Sequence, residues 1–412
     1  CSSHATTASV YSEQAPGSNA SPSLAKNYSA GCGARDTVFK EFTRSCRLSM
    51  SRLPRVDHEP TPSMVAFPTL SDYSPLDGND TDCKSISNTT YDRLDKLFQH
   101  LCLAENHLFT KYTSPTFVSH DLVNRCISKY FEQFHAYFPF IHHTDFLEEQ
   151  DLTLVLATSA VGSSFIDHEE SEELSMAFLE FLRRAVLVRA EALRDSFDKS
   201  TCLPFVQGSL LSVLGMYHHN NDSMQFEAVK GIHSLVNFCR ERQLCAHDDQ
   251  RVSNADRLED WGIWIRQEEL RRVVYCIWLT AEILDAQQQR VVCLDLAEIH
   301  LGLPCSEQLF RANSAKEWAQ MTKSTGASPT LLECLQTLTS DRQLHPGLTA
   351  FGHILLVYGL LYQSRQMKEH LWHLSRSRND CFTMALENGP GERLTFHDLL
   401  HVSSWVEWRN HM

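Results

Sequence analysis

The residue types that most often carry chemistry are plentiful in this chain of 412 residues, which contains 14 cysteines and 21 histidines. No two cysteines stand in a Cys-x-x-Cys pair, so the spacing that usually holds a structural zinc ion is absent. His142 and His143 are adjacent and therefore point in different directions, which favours packing or capping roles over metal binding. The cysteines are expected to be reduced, structural thiols, as is usual inside cells.

Two pairs of polar residues could begin the magnesium-binding motifs of an all-helical terpenoid cyclase. Asp248-Asp249 is followed by Val252 where a third carboxylate is needed. Asn221-Asp222 is followed by Gln225 and Val229 where a hydroxyl and a second carboxylate are needed. A magnesium–diphosphate cluster requires these oxygen ligands. Nucleophile elbows and glycine-rich phosphate loops are also missing, so the sequence indicates no enzyme and no catalytic residue.

A further group, of charged residues, lies at helical spacing in the segment from Trp261 to Leu284. Glu268 precedes Arg271 and Arg272 by three and four residues, which is the spacing of ion pairs on a helix surface. We therefore expect a solvated helix face on which each pair contributes roughly 0.2–0.5 kcal/mol. The apolar stretch Val273–Leu284 follows, and it predicts a helix buried on nearly all sides within a helical body.

The same segment carries a long pattern, W-x-x-W-x-x-x-E-x-x-R-R, followed by L-P-C-x-E-x-L and S-A-K-E-W. It resembles the middle homology region of fungal transcription factors, of the type found downstream of two-Cys, two-His zinc fingers, with Phe310 at one usual aromatic position. The matching residues are interpreted as structural. They are Trp261, Trp264, Glu268, Arg271, Arg272, Pro304, Cys305, Glu307 and Trp318.

The resemblance implies an all-α, multi-helix regulatory domain of a nuclear transcription factor that acts on RNA polymerase II. It implies zinc only in finger domains upstream of this chain, and contact with DNA only through that missing N-terminal part. A homodimer or transcriptional co-regulators are the other partners it suggests, without a membrane role. The net charge of −14 is consistent with DNA contact through another part of the protein, because a segment that binds DNA is normally basic.

The organisation of the chain follows from its composition. Residues 1–90 are rich in Ser, Thr and Pro and are predicted to be a disordered linker. Residues 91–412 are predicted to form the helical regulatory domain, and the family resemblance is strongest over 118–320. Within it, Ser119 is expected to cap a helix. The small residues Ala157, Ala160 and Gly162 are expected to allow two helices to approach closely.

One alternative from a different functional class stays open at this point. An all-helical body with many buried aromatic residues can also be a ligand-sensing or protein-interaction module without a role linked to DNA. The sequence names no ligand for such a module, and it does not identify target genes.

Overall fold

The structure is a computed structural model, and it describes residues 65–68, 85–105, 109–149, 151–193, 199–246, 258–288, 293–322 and 328–377. The chain divides into two units, 1–59 and 60–412, and all described residues belong to the second. These residues form twelve α-helices and no strand, which confirms the all-α prediction. The helices are α1 Asn88–Phe98, α2 His120–Lys129, α3 His143–Glu149, α4 Leu152–Ser163, α5 Ser171–Ala192, α6 Lys199–His218, α7 Asp222–Glu241, α8 Leu258–Gln288, α9 Glu307–Phe310, α10 Ala315–Thr322, α11 Leu331–Asp341 and α12 Ala350–Ser377.

Helix α4 lies at the centre of the domain, where it packs against α2, α5 and α6. Every residue from Thr153 to Ser163 is buried, so this helix has no polar face. The few hydroxyl groups are satisfied locally, since Thr158 Oγ1 donates to the Leu154 carbonyl at 3.0 Å and Ser159 Oγ donates to the Val155 carbonyl at 2.8 Å. The helix can therefore be buried on all sides without leaving these hydroxyl groups unpaired.

The crossing of α4 with α2 depends on Gly162, one of the three small residues predicted from the sequence to allow a close approach. Ala157 and Ala160 are fully buried. A Cβ atom added at Gly162 would lie only 1.8 Å from the Cys126 carbonyl oxygen and 3.0 Å from the Tyr130 amide nitrogen. Both contacts are with backbone atoms, so they cannot be relieved by rotating a side chain. Ser119 caps α2 as predicted, with its Oγ accepting from the Leu122 amide at 3.3 Å.

Helix α8 is the longest described helix and carries the apolar stretch predicted to be buried. Residues from Val273 to Glu282 are all buried, and Ile277 and Trp278 have no exposed surface. At its far end α8 meets α12, where Arg365 forms an ion pair with the buried carboxylate of Glu282. The prediction of a helix enclosed on nearly all sides is therefore confirmed.

The linker predicted over residues 1–90 is not tested over most of its length, because residues 1–64 and 69–84 lie outside the described residues. Two short stretches before it do pack on the domain. Phe67 and Ile86 are both buried, and the Ile86 amide donates to Asn124 Oδ1 at 3.0 Å. Residues 378–412 of the predicted domain also lie outside the described part. No helix of the described part is both long and apolar enough to cross a lipid bilayer.

A pair of helical glycines provides a test of the α2–α4 crossing. Gly162→Ala is expected to destabilise the protein by about 1–3 kcal/mol or more, because the added methyl group overlaps backbone atoms of α2. Gly262→Ala on α8 is the matched control. Nothing lies within 4 Å of its added Cβ, so this change should stabilise the helix by about 0.5–1 kcal/mol. Urea unfolding of both variants measures the change in unfolding free energy. Equal changes for Gly162→Ala and Gly262→Ala would show that α2 and α4 do not approach closely at Gly162.

Candidate functional site

The residues of the sequence pattern meet on one side of α8. On this helix Trp261, Glu268 and Arg272 follow one another at seven and four residues, so the helical repeat of 3.6 residues places them on the same face. A segment from Leu303 to Thr322, here called the strap, covers that face and contains α9 and α10. The buried Pro304 stands at its beginning, directly before Cys305.

Arg272 lies at the centre of this arrangement, with a side chain that is 0% exposed. Its Nε donates to Glu268 Oε1 at 2.9 Å, and its Nη1 donates to Glu307 Oε1 at 2.8 Å. The same Nη1 donates to the Pro139 carbonyl at 3.0 Å, and Nη2 donates to the Cys305 carbonyl at 2.8 Å. All three guanidinium nitrogens are therefore paired, which is what burial of this charge requires.

The flat face of the guanidinium is also in contact. Its central carbon lies 4.0 Å from the centre of the Phe310 ring, a cation–π distance. Phe310 is itself buried at the end of α9. Arg272 therefore holds the strap by hydrogen bonds around its edge and by an aromatic ring on its face.

Glu268 is the second fully buried charge. Its Oε1 accepts from the Cys305 amide at 2.8 Å as well as from Arg272, and Oε2 pairs with Arg271. Burial by itself raises the pKa of the Glu268 carboxyl. The charges of Arg271 and Arg272 and the hydrogen bonds from Arg272 and Cys305 lower this pKa by more, so it lies below its ordinary value. Glu268 is ionised at neutral pH.

A neighbouring contact joins α8 to the loop that follows α2. The amide of His142 donates to Glu269 Oε1, and the His142 Nε2 atom lies 3.2 Å from the Ala312 carbonyl of the strap. Burial is the main cause that lowers the pKa of His142 to about 4, so the ring is neutral at neutral pH. The packing role expected for His142 agrees with this geometry. No group of three or more His, Cys, Asp or Glu side chains in the described ranges is placed to hold a metal ion.

Tryptophans complete the contact between α8 and the strap. The rings of Trp264 and Trp318 have centroids 5.5 Å apart. Trp261 lies against His142 with centroids 6.0 Å apart, and both Trp261 and Trp264 pack on the buried strap cluster. That cluster consists of Leu309, Ala312, Trp318 and Ala319.

The expectation of a solvated helix face is wrong for Glu268 and Arg272, although Arg271 remains 28% exposed. The helical spacing of the charges is as expected, but the strap, more than thirty residues further along the chain, covers them. The sequence pattern also gave no indication that Glu269 binds the His142 amide or that the Pro139 carbonyl accepts from Arg272. The carboxylate of Glu307, in the downstream part of the pattern, was a signal that the arginines have distant partners.

The arrangement supports a clamp and not proton transfer. Glu268 is ionised and saturated with donors, and Arg272 is held as a cation because Glu268 and Glu307 outweigh the burial that lowers its pKa. Burial, with the nearby Glu268 charge, raises the pKa of the Cys305 thiol well above its ordinary value. A thiol in that state is a poor nucleophile at neutral pH.

Removing the Glu268 charge tests the clamp. Glu268→Gln is expected to cost about 3–5 kcal/mol of unfolding free energy, since it leaves a buried arginine without its main counter-charge. Glu227→Gln is the matched control, because Glu227 pairs with Lys230 at 2.8 Å on the exposed surface of α7. That change should cost under about 1 kcal/mol. Urea unfolding gives both values, and a loss at Glu268 no greater than at Glu227 would contradict the clamp.

Comparison with known proteins adds relatives to this geometry. A transcription factor of Gibberella fujikuroi is 26% identical over 244 residues, covering 56% of this chain and 31% of that protein. Zinc finger protein klf1 of Schizosaccharomyces pombe is 20% identical over 304 residues, covering 71% and 36%. Transcription factor PfmaH of Pestalotiopsis fici is 24% identical over 181 residues, covering 41% and 18%. The chain thus spans about a third or less of the length of these relatives. No solved structure matches the chain.

The family comparison covers more than half of the sequence. Residues 127–388 match the family model described as the fungal specific transcription factor domain, and this range includes α8, the strap and every residue of the sequence pattern. The chain belongs to the fungal specific transcription factor domain family.

Proposed function

We propose that this chain is the helical regulatory domain of a nuclear transcription factor that acts on RNA polymerase II. In this proposal zinc fingers outside these 412 residues bind the DNA, and zinc is their cofactor. The observation that carries the proposal is the family match over 127–388, which includes the complete Arg272 clamp. No catalytic step is assigned to the domain.

Three further observations support a regulatory domain that is separate from the DNA-binding part of the protein. The relatives include two proteins named as transcription factors and one named as a zinc finger protein. The chain spans 31% and 36% of the first two, which leaves most of their length for other segments. Its own net charge of −14 opposes tight contact with phosphates.

The way the domain is built supports the proposed regulatory role. Its helices and strap are joined by buried contacts between distant segments, so the domain is expected to act as one rigid unit. Such a unit can present a fixed surface to a second copy or to transcriptional co-regulators. Through them it would influence transcription while the fingers select the DNA sequence.

Gel-shift assays test the proposal. The 412-residue chain should bind duplex DNA weakly and without sequence preference, because it is acidic. The full-length protein should bind specifically, and a zinc chelator should abolish this binding because finger folding depends on the metal. Re-added zinc should restore it, and added salt should weaken it steeply. A full-length protein without zinc-dependent DNA binding would refute the proposal.

A second candidate function, small-molecule sensing, is favoured by one observation at the strap. Among the contacts that the described residues make, the buried Nε1–H of Trp318 and that of Trp261 have no acceptor. Buried donors of this kind usually have a partner, and a bound compound with a carbonyl or carboxylate oxygen could provide one.

A thermal-shift screen separates the two functions. A sensed compound should raise the melting temperature of the wild-type chain, because ligands that bind only the folded state stabilise it. The matched variant Trp318→Phe keeps a buried aromatic ring but lacks the N–H group, so the shift should shrink. If no carbonyl or carboxylate compound shifts the melting temperature, or if Trp318→Phe responds like the wild type, the sensing function at this site is excluded.

A further inference from the structure

The stretch Val65–Pro68 is bound to the helical domain in the way a peptide ligand is bound. It has no regular secondary structure, and the chain on both sides of it lies outside the described residues. Phe67 is only 7% exposed. Its ring is surrounded by four other aromatic rings, with centroid distances of 5.0 Å to Phe178, 5.4 Å to Phe117, 5.5 Å to Phe98 and 5.9 Å to Tyr112. We call these four rings the aromatic pocket.

Two hydrogen bonds fix the backbone of this stretch, one at Val65 and one at Phe67. The Phe67 amide donates to Ser114 Oγ at 3.1 Å, and the Thr113 amide donates to the Val65 carbonyl at 3.0 Å. Pro68 has no amide proton to satisfy, and a residue before proline prefers the extended conformation. A side-chain anchor, backbone hydrogen bonds and a preformed extended shape are the usual elements of recognition of a short peptide segment.

The walls of the aromatic pocket are held by contacts that do not involve Phe67. Phe98 packs on Phe117 at 5.2 Å and on Phe181 at 5.4 Å. The Tyr112 hydroxyl donates to the Ala177 carbonyl at 2.8 Å, and the Arg184 guanidinium lies 4.8 Å from the Tyr112 ring centre. The pocket is therefore expected to keep its shape when the segment leaves, and to expose an apolar surface that another segment of the same kind can fill.

We propose that Val65–Pro68 is an intramolecular docking segment, and that the aromatic pocket is a peptide-binding site for an aromatic residue followed by proline. Docking fixes the stretch itself on the helical domain. Because the contacts of the described stretch are one buried ring and two backbone hydrogen bonds, release exchanges a small number of interactions and leaves the helices in place. The proposal does not depend on what the preceding part of the chain binds.

A peptide-binding experiment with the full 412-residue chain tests this site. The probe is a fluorescent peptide of residues 60–72, and binding is followed by fluorescence anisotropy. Wild-type chain should bind it weakly, because its own segment competes at an effective concentration on the order of 1 mM. Phe67→Ala vacates the aromatic pocket, so this variant should bind the peptide at least about tenfold more tightly.

Two controls are matched to that comparison. Phe226→Ala removes a phenylalanine that is 57% exposed on α7, and this variant should bind the peptide as weakly as the wild type. A peptide in which Phe67 is replaced by alanine should not bind any of the chains. If Phe67→Ala retains the helical circular dichroism of the wild type but binds the peptide no better, or if the alanine peptide binds equally well, the proposal is overturned.

Hydrogen exchange gives a second readout that does not require Phe67→Ala to fold. Ser114→Ala leaves the aromatic pocket intact and removes the acceptor of the Phe67 amide. The Thr113 amide, whose acceptor is the Val65 carbonyl, should exchange several-fold faster in this variant, whereas the Tyr112 amide, bonded to the Cys102 carbonyl, should be unchanged. An unchanged exchange rate at Thr113 would show that the segment is not held by these contacts, and would also overturn the proposal.

Discussion

The buried guanidinium of Arg272 is the constraint on which the rest of the site depends. Removing such a group from water is costly, and the cost is offset only when every donor finds an acceptor with good geometry. The acceptors come from Glu268 on the same helix, from the Pro139 carbonyl before α3, and from Cys305 and Glu307 in the strap. These segments must therefore reach their places together, because any one of them missing leaves a charge partly unpaired.

This dependence explains why segments with little regular structure lie in defined positions. The strap contains a helix of only four residues and one of eight, which are too short to be stable by themselves. Its position comes from the buried charges and from Trp264 and Trp318, which meet at 5.5 Å. The loop before α3 is fixed in the same way, because the His142 amide and ring join Glu269 and the strap. The aromatic pocket around Phe67 is built from α1, α5 and the loop before α2, and it uses none of these residues.

The sequence predicted features that depend on neighbouring residues and missed those that depend on distant ones. The Ser119 cap and the buried stretch from Val273 follow from local preference and periodicity, and both are confirmed. Glu268 and Arg272 have the same spacing whether the helix face is solvated or covered, so the spacing alone does not determine their exposure. The prolines and serines around Phe67 are typical of a linker, although its ring is buried. Its burial comes from rings 31 to 111 residues further along the chain.

A polar clamp has a consequence that an apolar contact of the same size would lack. Well-packed hydrophobic residues in place of a buried ion pair are often as stable or more stable. Apolar side chains accept many small shifts of register, however, whereas the hydrogen bonds of Arg272 to two carboxylates and two carbonyls of defined residues do not. The charged residues of the sequence pattern therefore specify one position of the strap on α8 more than they add stability. Such residues mark a family through its fold, because they fix where its segments lie.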